Sequence, residues 1–138
     1  MYQRHSGPER AWQLWLPAAG QAAGLARQAT REVLQSWQLG HLEETVVLLV
    51  SELVTNSVRH ARNAGELALR LETTGRGLRI EVHDADPRWP RAGTPGGLDE
   101  SGFGLVLVAA LTDKWGVSDT RLGKAVWAEV STQPPPAG

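Results

Sequence analysis

ELALRLETTGRGLRIEVHD, residues 66–84, decides the fold. Leu67, Leu69 and Leu71 recur at every second position, and so do Leu78, Ile80 and Val82. A period of two marks a strand with one face buried. Gly75-Arg76-Gly77 separates the two runs as a tight turn. Glu66–Thr73 and Leu78–His83 are therefore the arms of an antiparallel hairpin.

Working outward, Trp12–Leu16 reads as a short strand stopped by Pro17. Ala18 to Leu39 is rich in Ala, Leu, Gln and Arg and reads as a helix ending at Gly40. His41 to about Arg62 reads as a second helix, and Asn63-Ala64-Gly65 as a turn. Beyond the hairpin, residues 85–101 carry three prolines and three glycines and read as a long loop. A loop of that length is either a lid or binding loop, or a surface insertion. Phe103–Thr112 reads as a third helix. Trp115–Ser118 and Ala125–Val130 make a second hairpin, turned at Leu122-Gly123. Hairpins with segregated helices predict an α+β fold, a two-layer α/β sandwich. The expected sheet is mixed, with the helices on one face. Regular βαβ alternation is missing, which argues against a Rossmann fold. Residues 1–10 and 133–138 are expected to be flexible ends around one domain, 11–132.

Composition narrows the function. The chain has 138 residues, of which 41% are apolar, enough for a core. Its formal net charge is −1, so no global positive field exists to hold nucleic acid or an anionic membrane. It contains no cysteine, which excludes disulfide scaffolds, thiolate catalysis and Cys-ligated zinc. No run reaches the ~18 apolar residues that a membrane span needs. The expectation is a cytoplasmic protein that engages neither membrane nor nucleic acid directly.

Three segments carry chemistry. On a helical wheel of residues 41–62, Leu42, Val46, Leu49, Val50, Leu53, Ser57 and Ala61 form the core face. Glu52, Asn56 and Arg59 form a stripe beside it. A carboxylate, a carboxamide and a guanidinium thus project together, either as a site or as plain helix surface. Asp84 ends the central hairpin, where its side chain can face a pocket or cap a turn. Gly102-Phe103-Gly104 closes the loop ahead of the third helix. Glycines there admit close approach of a ligand, and free N–H groups suit phosphate oxygens. As a set, these groups divide the work on a nucleotide. The Asn56 carboxamide oxygen suits Mg²⁺, which takes few protein ligands beside phosphates. Arg59 suits phosphate oxygens, and Asp84 suits the exocyclic amino group of adenine. Glu52 is left to orient or deprotonate a hydroxyl.

Glu52-Leu53-Val54-Thr55-Asn56-Ser57-Val58-Arg59-His60-Ala61, the Asp84 segment and the Gly102-Phe103-Gly104 segment resemble the N, G1 and G2 boxes of the GHKL ATPase and kinase superfamily. The first stretch is especially similar to that of bacterial anti-sigma-factor serine/threonine kinases of the single-domain actinobacterial type. The resemblance spans roughly residues 11–131 and implies the Bergerat ATP-binding fold. It implies ATP and Mg²⁺ as cofactors, with Asn56 as the metal ligand and Glu52 as the general base. It puts Arg59 and His60 near the phosphates, Asp84 on adenine with Asp86 nearby, and Gly102, Phe103, Gly104 and Leu105 in the lid. The implied activity is phosphorylation of an anti-anti-sigma (STAS-type) protein in a partner switch, with sequestration of a sigma factor. Relatives of this type commonly form homodimers. A binding module with weak or absent catalysis is the alternative. Two features depart from the family pattern. The usual D-x-G-x-G box reads Asp84-Ala85-Asp86-Pro87-Arg88, and Lys124-Ala125-Val126 stands where a Thr or Ser often approaches the adenine.

Overall fold

A computed structural model describes residues 9–60, 65–85, 108, 110–121 and 123–132. Its elements run β1 (Ala11–Pro17), α1 (Ala22–Ser36), α2 (Glu43–His60), β2 (Glu66–Thr73), β3 (Gly77–Asp84), β4 (Lys114–Asp119) and β5 (Lys124–Ser131). The strands form one sheet in the order β1-β2-β3-β5-β4. Both expected hairpins are present. The mixed sheet is corrected: all four described pairings are antiparallel. β2–β3 and β4–β5 are hairpins, and β5 lies between its own partner β4 and the central β3.

Alternation decides which side chains enter the core. Leu67, Leu69, Leu71, Leu78, Ile80 and Val82 are all fully buried on one sheet face. Trp12, Leu14 and Leu16 extend that face on β1, and Val126, Ala128 and Val130 on β5. Ala22, Ala26, Val33 and Leu34 of α1 close over it, with Val46, Leu49, Val50 and Leu53 of α2. Val108 is helical and joins the same cluster, so the described helical residues all lie on one side, as expected. Burial of this apolar area is the main force holding the layers together.

Helix boundaries shift for local reasons. Residues 18–21 form turns rather than helix, with the Ala18 N–H donating to the Gly65 carbonyl. α1 stops at Ser36, not at Gly40. Gln38 takes the left-handed conformation at φ 60°. The Leu39 N–H then reaches back to the Leu34 carbonyl at 2.8 Å, and Leu39 packs on the core. That backward bond with its apolar contact terminates a helix without glycine. Gly40–Leu42 makes a 3₁₀ turn, and α2 starts at Glu43 with two acids in its first turn. Acids there complement the helix dipole.

The opposite sheet face is charged. Arg79 donates to Glu81 at 2.6 Å and to Glu129 at 2.8 Å. Its guanidinium also lies 4.2 Å from the centre of the Trp127 ring, a cation–π distance. His83 Nε2 sits 2.8 Å from Glu81 Oε1. The His83 hydrogen bond, joined by Arg79, outweighs burial and holds the Glu81 carboxyl down at about 2. Folding therefore favours the ionised carboxylate more than the unfolded chain does. The stability it adds is fully present above the ordinary value of 4.5 and is lost as pH falls toward 2. We expect the wild-type melting temperature to drop over that window. In Glu81→Gln this drop should be visibly shallower in melting curves followed by circular dichroism.

Candidate functional site

The site residues gather at one end of the sheet for a topological reason. α2 ends at His60, and β2 begins at Glu66. Ala68 of β2 pairs with His83 of β3, and Asp84 pairs with Lys124 at the start of β5. The last turns of α2, the end of β3 and the start of β5 therefore share that end.

The rotation of α2 is set by its core stripe, Val46, Leu49, Val50 and Leu53. With that stripe buried, Asn56 and Ser57 are also carried inside, at 4% and 3% exposure. Glu52, one turn before Asn56, is half-buried, and Arg59 is exposed. The expected stripe is thus graded from inside to outside. His60 lies in the last turn of α2, and its side chain is outside the described residues. The buried Ser57 hydroxyl, on the same turn as Asn56, has no hydrogen-bond partner among the described residues. Buried polar groups are normally paired. The carboxamide of Asn56, carried inside beside Ser57, has an oxygen whose chemistry fits a cation or a phosphate-bound metal. No group of three His, Cys, Asp or Glu side chains capable of holding a metal occurs among the described residues. Mg²⁺ would therefore depend on phosphate oxygens for most of its shell, its usual habit.

The base end differs. Asp84 faces the helix layer, since it shares the parity of Ile80 and Val82, and its side chain is fully buried. Lys124 shares the parity of Val126 and Ala128 on β5, and its side chain is 1% exposed. Lys124 Nζ donates to Asp84 Oδ1 at 2.9 Å. Lysine is almost never this buried without a partner. Gly123 makes the approach possible: a Cβ there would run into the Asp84 carbonyl oxygen and the Ala85 backbone. The Thr120 hydroxyl accepts from the Gly123 N–H at 3.0 Å and fixes the turn between β4 and β5.

Lys124 is the site-end residue that the sequence reading undervalued. By resemblance, its segment stands only where the family often has a hydroxyl. The signal was available: the inward parity of Val126, Ala128 and Val130 puts residue 124 inside as well. Asp86, Gly102, Phe103, Gly104 and Leu105 lie outside the described residues. Because Gly123 abuts backbone on both counts, we expect Gly123→Ala to cost about 1–3 kcal/mol, the usual penalty for overpacking. A chemical denaturation midpoint unchanged from wild type would contradict this packing.

Comparison with known proteins agrees with the fold. Residues 16–130 match the family described as the histidine kinase-like ATPase domain. An uncharacterized protein of Streptomyces coelicolor is 35% identical over 89 residues, which cover 62% of this chain and 85% of that protein. A crystal structure of the RsbU and RsbW domains of Rv1364c from Mycobacterium tuberculosis superposes with a TM-score of 0.67 at 20% identity. That superposition covers 88% of this chain, which spans about a third (32%) of the longer protein. Among the described residues, no helix is long and apolar enough to cross a membrane. With the sheet order, the helix layer and a match across residues 16–130 in agreement, this chain belongs to the histidine kinase-like ATPase domain family.

Proposed function

We propose that the protein is an ATP- and Mg²⁺-dependent serine/threonine kinase that phosphorylates an anti-anti-sigma partner and sequesters a sigma factor. The observation that carries this reading is the pairing of half-buried Glu52 with buried Asn56, one turn apart on the helix that faces β3. The family match supports nucleotide binding, and the fold neighbour contains an RsbW domain beside an RsbU domain. Asn56 is assigned to hold Mg²⁺ through its carboxamide oxygen, and the metal supplies charge neutralisation on the phosphates. Arg59, exposed beyond it, is assigned to attract phosphate oxygens. Glu52 takes the proton from the partner's serine or threonine hydroxyl. The hydroxyl oxygen bonds to the γ-phosphorus, the bond to the β–γ bridging oxygen breaks, and ADP leaves. The rim position of Glu52 suits this role, since a base must reach a hydroxyl presented from outside the chain.

A second reading is favoured by the Asp84–Lys124 pair. A chain whose base-end carboxylate is already engaged suits a partner-binding module with weak or absent catalysis. The two readings separate by experiment. Mg·ATP titration by calorimetry, followed by phosphotransfer to anti-anti-sigma proteins of the same genome, tests the kinase. Transfer to none of them, with tight binding to one, would leave the module standing.

Glu52 and Asn56 should fail differently. Asn56→Ala removes a metal ligand and should weaken Mg·ATP binding and phosphotransfer together. Glu52→Gln keeps the shape and removes the base. It should leave ATP affinity unchanged and slow transfer by roughly 10²–10⁴-fold. Equal activity of Glu52→Gln and wild type would strip Glu52 of its role.

A further inference from the structure

β1 is an outer strand of the sheet, paired with β2 on one side only. The ladder fixes which of its backbone groups that pairing uses. The Thr73 N–H donates to the Arg10 carbonyl, and the Ala18 N–H to the Gly65 carbonyl. Residues of an antiparallel strand alternate in the edge they address. Trp12, Leu14 and Leu16 therefore turn their N–H and C=O groups to β2, while Ala11, Gln13 and Trp15 turn theirs to the free edge. Pro17 ends that row, since it has no N–H and its carbonyl accepts from Ala19 at 2.8 Å. Outer strands usually carry charge that discourages pairing. β4, the other outer strand, has Lys114 and Asp119 at its ends. β1 reads AWQLWLP, with no charge along its length. Trp15 is 59% exposed, the most exposed large apolar side chain among the described residues. Trp12 and Leu14 are only partly buried. A cavity of about 260 Å³ opens beside Trp12, between β1 and α1, walled by Val33 and Trp37.

We propose that β1 is a docking edge for a second copy of this chain. Two copies pair antiparallel, β1 to β1, about a two-fold axis at Gln13, and their five-stranded sheets join into one. The strand itself selects this register. Centring on Gln13 sets Ala11 against Trp15 of the second copy and Gln13 against Gln13, so each outward N–H and C=O of these residues finds a partner. Sliding to centre on Leu14 sets Ala11 against Pro17, which has no N–H to give. Sliding the other way, to centre on Trp12, carries Trp15 past the end of the opposing strand. In the Gln13 register the sizes also match. On the open face the bulky Trp15 meets the small Ala11 of the second copy. On the helix face Trp12 meets Leu14 of the second copy, next to the cavity at Val33 and Trp37. A two-fold contact of this kind consumes the free edge of β1 in both copies, so assembly closes at two. The inference needs neither nucleotide nor phosphotransfer, and it stands or falls apart from the kinase reading.

Sedimentation equilibrium of the full chain reads the oligomer directly. Wild type should associate to a dimer, and a chain that stays monomeric up to about 1 mM overturns the proposal. Gln13 is exposed, and its neighbour across the ladder in β2 is Arg70. Gln13→Lys and Gln13→Glu each set like charges opposite one another at the two-fold axis. Each should weaken the dimer by about three- to tenfold. Arg70 acts on the two changes in opposite senses, so weakening in both isolates the contact between copies. An equimolar mixture of the two variants should recover mixed dimers of at least wild-type affinity. Dimers indifferent to both charges, or a mixture no tighter than its components, put the contact elsewhere and overturn the proposal. Gln13→Pro removes an outward N–H and leaves the bonds to β2 in place, a position where an edge strand accepts proline. It should leave the far-ultraviolet circular dichroism spectrum unchanged and yield monomer; the charge variants decide the matter where it does not fold. A monomeric wild type that binds an anti-anti-sigma protein, with Gln13→Pro abolishing that binding, assigns the edge to a foreign strand and overturns the second copy as its occupant.

Discussion

Strand β3 is constrained on every side. It is hydrogen-bonded to β2 along one edge and to β5 along the other. Leu78, Ile80 and Val82 lie under the helices, while Arg79, Glu81 and His83 face the opposite way. A slip of one residue would exchange these two sets and put three ionisable groups into the core. The same register ends with Asp84 inside and opposite Lys124. The apolar core therefore fixes the position of the buried ion pair, and the alternation that builds the layer interface also delivers a carboxylate to the candidate site.

The two faces of the sheet use charge in different ways. On the open face, Arg79 bridges Glu81 and Glu129 and lies over Trp127, whose ring covers Gly116. These groups keep contact with water, so each contact adds modestly and the network serves to pin strand to strand. On the covered face, the Asp84–Lys124 pair has lost its water altogether. A buried pair of this kind seldom adds net stability over an apolar pair of the same size, though removing one partner is costly. That imbalance suggests that the pair is kept for where it sits. It stands at the end of the sheet that the last turns of α2 share.

The helix layer gives the other half of the site. α2 is held against β2 and β3 by its core stripe, and Arg27 of α1 ties to it through a 3.0 Å hydrogen bond to Ser51. Such anchoring leaves little freedom in the rotation of the helix. Asn56 is buried, Glu52 stays at the rim and Arg59 is outside because these positions step around a helix whose apolar face is already committed. The gradient from carboxamide to carboxylate to guanidinium follows from packing. Under the proposed kinase reading, that gradient would shield Asn56 as a metal ligand and leave Glu52 at the edge to meet a second protein's hydroxyl.

The alternation of residues 66–84 and the 3.6-residue period of α2 were legible in the sequence, because both are local patterns that burial must respect. They predicted the hairpins, the single helix layer, and the company of Glu52, Asn56 and Arg59. Two local details escaped: α1 ends through a left-handed Gln38 rather than at Gly40, and the sheet is wholly antiparallel among the described strands. In each, several conformations satisfy the same residues locally, and contacts with distant segments choose among them. The partner of Asp84 is the clearest example. Forty residues separate it from Lys124. Parity alone puts each of them inward, but only the β3–β5 register, with a glycine at 123 to admit the close approach, brings ammonium to carboxylate. The sequence determined which residues could be buried; the tertiary structure decided which buried charges meet, because strand pairing is a long-range contact that no local period encodes.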